Sequence, residues 1–258
     1  MSRYFSKINL IFYLAKDDFK SKYSGMVFGF FWAFVEPLFT VLIYWFINHF
    51  VFGNNRFGNL PYIVWLLAGM VPWFFVLDSW INVSRVFWDY SYLVKKIVFD
   101  VTCLPFIRII SCLFVNLIFT FLIFLICFIY KIPFKFIYFQ VFYYIFASFF
   151  LVVGIGLIIC SLSVFLKDIS NIVRMLLQFV FWLTPIFWDV NSISKFNWLF
   201  KINPVYYIVQ GYRNTFIYGI WFFEDLSYFF YFWFFAAFVL VFGKILFNKT
   251  TVFLVDSL

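Results

Sequence analysis

The chain has 258 residues, of which 66% are hydrophobic and 12% are charged, and its mean hydropathy is +1.02. Soluble domains are only about 45–50% apolar, so this composition excludes a soluble globular protein and indicates a multi-pass membrane protein. The four cysteines lie in or beside apolar runs without a C-x-x-C pair, so their pattern predicts neither a disulfide framework nor a zinc site.

Residues 5–19 predict an amphipathic helix that lies in the membrane interface. Apolar side chains recur there at helical spacing while lysines occupy other faces. The alternative for this segment is a frayed cytoplasmic tail. The apolar positions are Phe5, Ile8, Phe12, Ala15 and Phe19.

A membrane helix needs about 20 mostly apolar residues, and six segments approach that length. They predict an all-α integral membrane protein with six transmembrane helices, at residues 30–52, 60–83, 104–130, 136–165, 172–188 and 226–247. The fifth segment is the shortest, and it carries Arg174 and Gln178 near its start.

The basic residues predict the orientation. With both termini in the cytoplasm, 13 of the 19 lysines and arginines lie on the cytoplasmic side, as the positive-inside rule requires. This bias also accounts for the net charge of +8 without a nucleic acid partner.

Two acidic residues fall inside predicted spans, where ionisable groups are costly and are candidates for function. Glu36 precedes Pro37 in the first span, and Asp78 lies near the cytoplasmic end of the second. Each has either a transport role or a structural role as a hydrogen-bond acceptor for a neighbouring helix.

Two connecting segments are unusual. Residues 84–100 are long enough for a short cytoplasmic helix that binds a partner, although a solvated connection fits the composition equally well. Residues 191–223 are too polar for a span yet hold aromatic segments around Asn203 and Pro204. They predict short re-entrant helices that line or cap a pore, or else an external loop resting on the headgroups.

No catalytic or metal site is predicted. His49 is the only histidine, and the sequence has no G-x-x-x-x-G-K-[ST] phosphate loop, so the chain cannot hydrolyse ATP by itself. The 17 tyrosines and 11 tryptophans fit interfacial belts, and some of them fit a carbohydrate path because their rings are amphipathic.

Several short strings stand out over nearly the whole chain: residues 17–23 (DDFKSKY), 28–29 (FG), 32–33 (WA), 36–38 (EPL), 67–73 (LAGMVPW), 167–168 (KD), 183–186 (LTPI), 203–204 (NP) and 211–213 (GYR). In sequence and in order they resemble the membrane subunits of ABC-2 type polysaccharide exporters. Phe28 stands where the family usually has leucine. The closest resemblance is to teichoic acid translocation permeases, at residues 44–46, 73–75, 184–189 and 211–216. O-antigen export permeases have the same motifs in the same order.

The resemblance implies one transmembrane domain over residues 1–258: an interface helix and gate loop (1–29), spans 1–5 (30–188), an external re-entrant region (189–225), span 6 (226–247) and a cytoplasmic tail (248–258). It implies a homodimer in the bacterial cytoplasmic (inner) membrane, in contact with membrane lipids. Two copies of a separate nucleotide-binding ATPase subunit would bind ATP and Mg²⁺, and this chain would hold no cofactor. The cargo would be a lipid-linked cell-surface polymer of the teichoic acid or O-antigen type.

The resemblance also assigns roles to residues. The cytoplasmic gate loop would be Phe28 and Gly29, and the candidate channel aromatics are Trp32, Tyr44, Trp73 and Tyr212. The ATPase-coupling residues would be Arg85, Asp89, Tyr92, Lys95 and Lys96. The external gate would include Asn203, Pro204, Tyr206, Gly211 and Arg213.

Two other classes of protein stay open. A membrane-embedded transferase acting on lipid-linked sugars predicts clustered His, Asp or Glu side chains at one membrane face, and the sequence offers few. An uncoupled channel predicts that no ATPase binds.

Overall fold

The computed structural model describes residues 2–22, 28–51, 56–57, 60–91, 100–166, 168–188 and 197–257. Within these ranges, five helices are long and apolar enough to cross a membrane: Trp32–Phe50, Tyr62–Val83, Val101–Ile129, Phe136–Phe165 and Leu226–Thr251. The predicted all-α membrane fold is therefore confirmed. The only strands in the described ranges, Arg56–Phe57 (β1) and Leu60–Pro61 (β2), form a short antiparallel pair.

The N-terminal helix α1 (Ser2–Lys22) forms as predicted. Ala15 and Asp18 are buried where α1 packs against helix α5 (Leu104–Ile129), whereas Ile8 and Phe12 are about half exposed. The helix thus lies along the bundle with one apolar strip uncovered. Its place in the lipid interface stays a prediction.

The next two helices differ in how far the protein covers them. Helix α2 (Trp32–Phe46) keeps large apolar side chains such as Phe39 and Phe46 exposed, and a π-helical turn (Ile47–Val51) extends it. Helix α3 (Tyr62–Val83) is buried along most of its length because it packs against α5 and two later helices. Helix α3 is therefore the centre of the bundle, and α2 stands at its edge.

The middle of the chain forms two long spans. The short helix α4 (Val86–Asp89) follows α3, and a 3₁₀ turn (Val101–Cys103) leads into α5. The Asp100 carboxylate caps this turn by accepting from the Thr102 amide at 3.1 Å. A second 3₁₀ turn (Phe136–Phe139) precedes α6 (Gln140–Phe165), which pairs extensively with the last helix, α10 (Leu226–Ser257).

The fifth predicted span is shorter than the sequence suggested. Helix α7 (Ile169–Leu183) has 15 residues and ends before Thr184, which is extended with ψ 114°. The ring of Pro185 explains the end, because a residue before proline is disfavoured in the helical region. The prediction of a helix continuing to residue 188 was wrong.

Between α7 and α10 the chain forms two short helices, α8 (Asn197–Ile202) and α9 (Pro204–Arg213), followed by a π-helical turn (Asn214–Tyr218). Helix α9 contacts both α3 and α6, and most of its residues are buried. The predicted pair of short helices in this region is confirmed. Most side chains of α9 are thus covered by protein, whereas Lys201 and Ile202 at the end of α8 and Tyr218 at the end of the π-helical turn are exposed.

Candidate functional site

A cavity of the described bundle lies between α2, α3 and α7 and has a volume of about 630 Å³. Its walls combine aromatic rings with charged and amide side chains. The polar lining comprises Lys22, Glu36, Thr40, Asp78, Arg174 and Gln178, and the aromatic lining comprises Trp32, Trp73, Phe74 and Phe181. We call it the central cavity.

Both predicted intramembrane acids lie in the central cavity. Glu36 is exposed on α2, and Asp78 reaches the cavity from α3. The structure therefore brings together residues that the sequence separates by more than 40 positions, and it surrounds them with open space.

Three of the four predicted channel aromatics lie in or beside this cavity. Trp32 and Trp73 line it, and the Trp73 ring centre lies 5.4 Å from that of Phe181. Tyr44 stacks on Phe187 with ring centres 5.4 Å apart, and Phe187 in turn lies 5.9 Å from Phe181. A continuous row of rings thus runs from the cavity along α2 and α7.

The fourth predicted channel aromatic, Tyr212, lies elsewhere. Its side chain is fully buried in the core of the bundle, where its ring lies 6.5 Å from Tyr144 and 6.4 Å from Phe216. Burial raises the pKa of its phenol. We correct the prediction: Tyr212 packs the interior and does not face the central cavity.

The predicted cytoplasmic gate loop lies directly before α2. Gly29 adopts φ +51°, a left-handed conformation that favours glycine, and begins the 3₁₀ turn Gly29–Phe31. Phe28 is 63% exposed, and its ring centre lies 6.0 Å from that of Trp32. The turn thus places an exposed ring beside the cavity, while its role as a gate stays a prediction.

Arg213 is buried and binds the segment that follows α7. Its guanidinium donates to the carbonyl oxygens of Pro185, at 2.6 Å, and Ile186, at 2.5 Å. It also lies over the Trp65 ring of α3, 3.6 Å from the ring centre. Gly69 leaves room for this arrangement, since a Cβ there would lie 3.0 Å from the guanidinium.

Asn203 holds the same segment from the other side. Its side-chain amide donates to the Thr184 hydroxyl at 2.7 Å, and its oxygen caps α9 by accepting from the Val205 amide at 3.0 Å. Pro204 occupies the first position of α9, where proline is well tolerated. The predicted gate residues Asn203, Pro204 and Arg213 thus form one unit around residues 184–186.

Gly211 and Tyr206 complete the predicted external-gate set. A Cβ at Gly211 would lie 2.0 Å from the Tyr144 ring, so α9 approaches α6 this closely only with glycine there. Tyr206 is 6% exposed, and its ring centre lies 6.4 Å from that of Tyr228 on α10. Both residues therefore fix α9 against its neighbours.

At the opposite end of the bundle, Arg108 joins three segments. Its guanidinium contacts the Asp18 carboxylate of α1 at 3.0 Å and the Asp89 carboxylate of α4 at 2.5 Å, and it lies 4.9 Å from the Tyr90 ring centre. The Tyr90 hydroxyl donates to Asp18. The arginine and Asp18 are nearly buried. The sequence analysis missed this network because its members are far apart in the chain.

Two of the predicted coupling residues can be placed. Arg85, before α4, lines a small polar recess with Ser84, Trp88, Asp89 and Ser170, and Asp89 belongs to the Arg108 network. Tyr92, Lys95 and Lys96 lie outside the described residues. Among the described residues, no group of three or more His, Cys, Asp or Glu side chains is placed to hold a metal ion.

The described residues form a multi-pass helical bundle with a cavity lined by polar and aromatic side chains. The family model described as ABC-2 type transporter matches residues 9–217, and the chain belongs to this family. A Klebsiella pneumoniae protein named an O-antigen export system permease is 26% identical over 252 residues, covering 93% of this chain and 92% of the relative. A Myxococcus xanthus protein of the same name is 24% identical over 212 residues, covering 80% of each chain.

Proposed function

We propose that this chain is the membrane subunit of an ABC exporter that moves a lipid-linked polysaccharide of the O-antigen type across the bacterial cytoplasmic membrane. The family match supports the transport role, and the names of the relatives support the cargo class. The resemblance to teichoic acid permeases keeps a polyol-phosphate polymer as a second candidate cargo.

The central cavity is the observation that carries this proposal. Glu36 on α2 and Arg174 and Gln178 on α7 are exposed, although both helices are otherwise strongly apolar. Because charged and amide groups are costly against lipid tails, this face meets water or protein. Rings beside such groups suit a sugar chain, whose C–H faces pack on aromatic surfaces while its hydroxyls need hydrogen-bond partners.

A second copy of the chain would complete the path. Helices α2 and α7 flank the open side of the cavity and are the least covered helices around it. A two-fold pair brings the same face of each copy together, so two central cavities would join into one passage with polar walls. The outer apolar surfaces of the pair would remain in contact with lipid.

Energy would come from a separate ATPase bound to each copy, since the sequence has no phosphate-binding loop. We place these subunits on the cytoplasmic side, beside the recess lined by Arg85, Trp88 and Asp89. When the two ATPase subunits bind ATP and Mg²⁺ and close on each other, they would move α4. The Arg108 network would pass this motion to α1, which leads into the Phe28 and Gly29 turn.

Depletion of the protein in its native cell tests the proposal. Lipid-linked polymers on each side of the inner membrane are then separated and chemically analysed. We expect a glycan to accumulate on the inner side while the surface polymer falls. A phosphate-rich polyol polymer on the inner side would instead establish the teichoic acid type. Intact surface polymer without accumulation would contradict export and favour an enzyme or an uncoupled channel.

A further inference from the structure

A second cavity lies at the other end of the bundle, between α8, α9, the segment before α10 and the first turn of α10. Its volume is about 280 Å³, and it shares no lining residue with the central cavity. Tyr144, Tyr207, Tyr228 and Phe222 supply aromatic walls, and Gln210 and Asn214 supply amides. We call it the outer pocket.

The aromatic walls are rigid. The Tyr207 ring stacks on Phe232 with centres 4.3 Å apart and an interplanar angle of 16°, and it meets Tyr228 edge-on at 5.0 Å. The hydroxyls of Tyr207 and Tyr143 lie 2.8 Å apart, and the Trp233 indole N–H donates to the Tyr143 hydroxyl at 2.8 Å. These contacts set the ring positions before any ligand arrives, which lowers the entropic cost of binding.

The pocket also has unused hydrogen-bonding capacity. The Tyr228 hydroxyl is buried and has no hydrogen-bond partner among the described residues. Gln210 and Asn214 both line the pocket, and the Gln210 amide N–H donates to the Asn214 side-chain oxygen at 3.2 Å. A buried hydroxyl without a partner is costly unless a ligand or water satisfies it.

The charges at the mouth balance each other. The Lys201 ammonium lies 3.6 Å from the Asp225 carboxylate and 5.6 Å from the centre of the Tyr228 ring. Asp225 also accepts from the Tyr228 amide at 3.2 Å. An anionic ligand such as phosphate would meet one cation that already has an acidic neighbour, so the mouth does not favour it.

We propose that the outer pocket binds one sugar residue of the exported glycan, an inference that rests on the proposed function. A pyranose ring offers C–H faces to the Tyr207 and Tyr228 walls and hydroxyls to the Tyr228 hydroxyl and the Gln210 amide. An acyl chain would leave these polar groups unpaired. The volume lies just below the range of pockets for drug-sized ligands, about 300–1,000 Å³, which suits one ring of a longer chain.

The location gives this binding a role in transport. The pocket lies at the end of the bundle opposite the Arg108 network, beside the Gly211 contact and the first turn of α10. With both termini in the cytoplasm, this end faces outward. A sugar held there would retain the emerging polymer on the outer side and oppose its backward movement between successive cycles of ATP hydrolysis.

Binding is measured by saturation-transfer NMR on the full chain in lipid nanodiscs. The probe is an oligosaccharide mixture released by mild acid from the surface polysaccharide of the native cell. We expect Tyr228→Phe and Gln210→Ala each to weaken binding about three- to tenfold, as the loss of one hydrogen bond does. Tyr231→Phe is the matched control, since Tyr231 lies on the same helix and donates outside the pocket to the Ile202 carbonyl.

Unchanged affinity in both variants, or no binding to the wild type, would overturn the inference. Displacement of the probe by inorganic phosphate would overturn it too, because the pocket would then prefer an anion to a sugar. Tyr228→Phe keeps the ring, so folding is preserved, and thermal unfolding of each variant verifies this. A wild-type chain that exports polymer yet binds no oligosaccharide would refute the outer pocket alone, whereas failure of the depletion experiment would refute the proposed function.

Discussion

The guanidinium carbon of Arg213 lies 3.6 Å from the centre of the Trp65 ring. This contact joins α9 to α3, and the two hydrogen bonds of the same guanidinium add the segment after α7. A buried cation is tolerated when charge-assisted hydrogen bonds and a ring face replace its water. Arg213 is thus a structural clamp of the predicted external gate.

Replacing Arg213 by methionine tests this clamp. We expect Arg213→Met to lower the free energy of unfolding by roughly 3 kcal/mol, because two carbonyls lose a charged donor and the ring loses its cation. Thermal unfolding in detergent measures the loss. Arg174→Met is the control, since Arg174 is exposed in the central cavity. Equal unfolding temperatures for Arg213→Met and the wild type would contradict the clamp.

Gly211 gives a steric prediction. A methyl group there would lie 2.0 Å from the Tyr144 ring, so Gly211→Ala should destabilise the protein by about 1–3 kcal/mol, as overpacking does. Adding Tyr144→Leu should recover part of the loss in the double variant by removing the obstructing ring. If Gly211→Ala unfolds like the wild type, α9 and α6 are not packed this closely.

The Arg108 network predicts energetic coupling between α1 and α5. Asp18→Asn and Arg108→Gln should each destabilise the protein, and the double variant should lose less than the sum, with an interaction energy of about 0.5–3 kcal/mol. Asp17→Asn, at the exposed neighbouring position, should have little effect. If the losses of unfolding free energy in the two single variants add up to that of the double variant, the 3.0 Å contact between Asp18 and Arg108 contributes nothing measurable to stability.

Hydropathy and short strings predicted much of this architecture. The runs that became α3, α5, α6 and α10 are long and apolar, and such runs leave few alternatives in a membrane. The polar interruption around Asn203 and Pro204 correctly predicted short helices because proline and an amide cap start α9. The early end of α7 at Leu183 was not predicted, although Pro185 is a signal for it.

Contacts between distant segments could not be predicted from one sequence. The strings 67–73, 183–186 and 211–213 were each recognised, yet their meeting at Gly69, Ile186 and Arg213 depends on how the helices pack. Tyr212 was misplaced for the same reason. Its aromatic type suits a channel wall or a core equally, and only the orientation of α9 decides between them.

The central claim is that the cavity between α2, α3 and α7 lies on the transport path, and a thiol block at Gln178 tests it most directly. The four native cysteines are buried, so Gln178→Cys provides one reactive thiol. We predict that a bulky, water-soluble maleimide labels it in inside-out vesicles and stops polymer export, while the same reagent leaves the wild type active. Complete labelling of Gln178→Cys with unchanged export would contradict the claim.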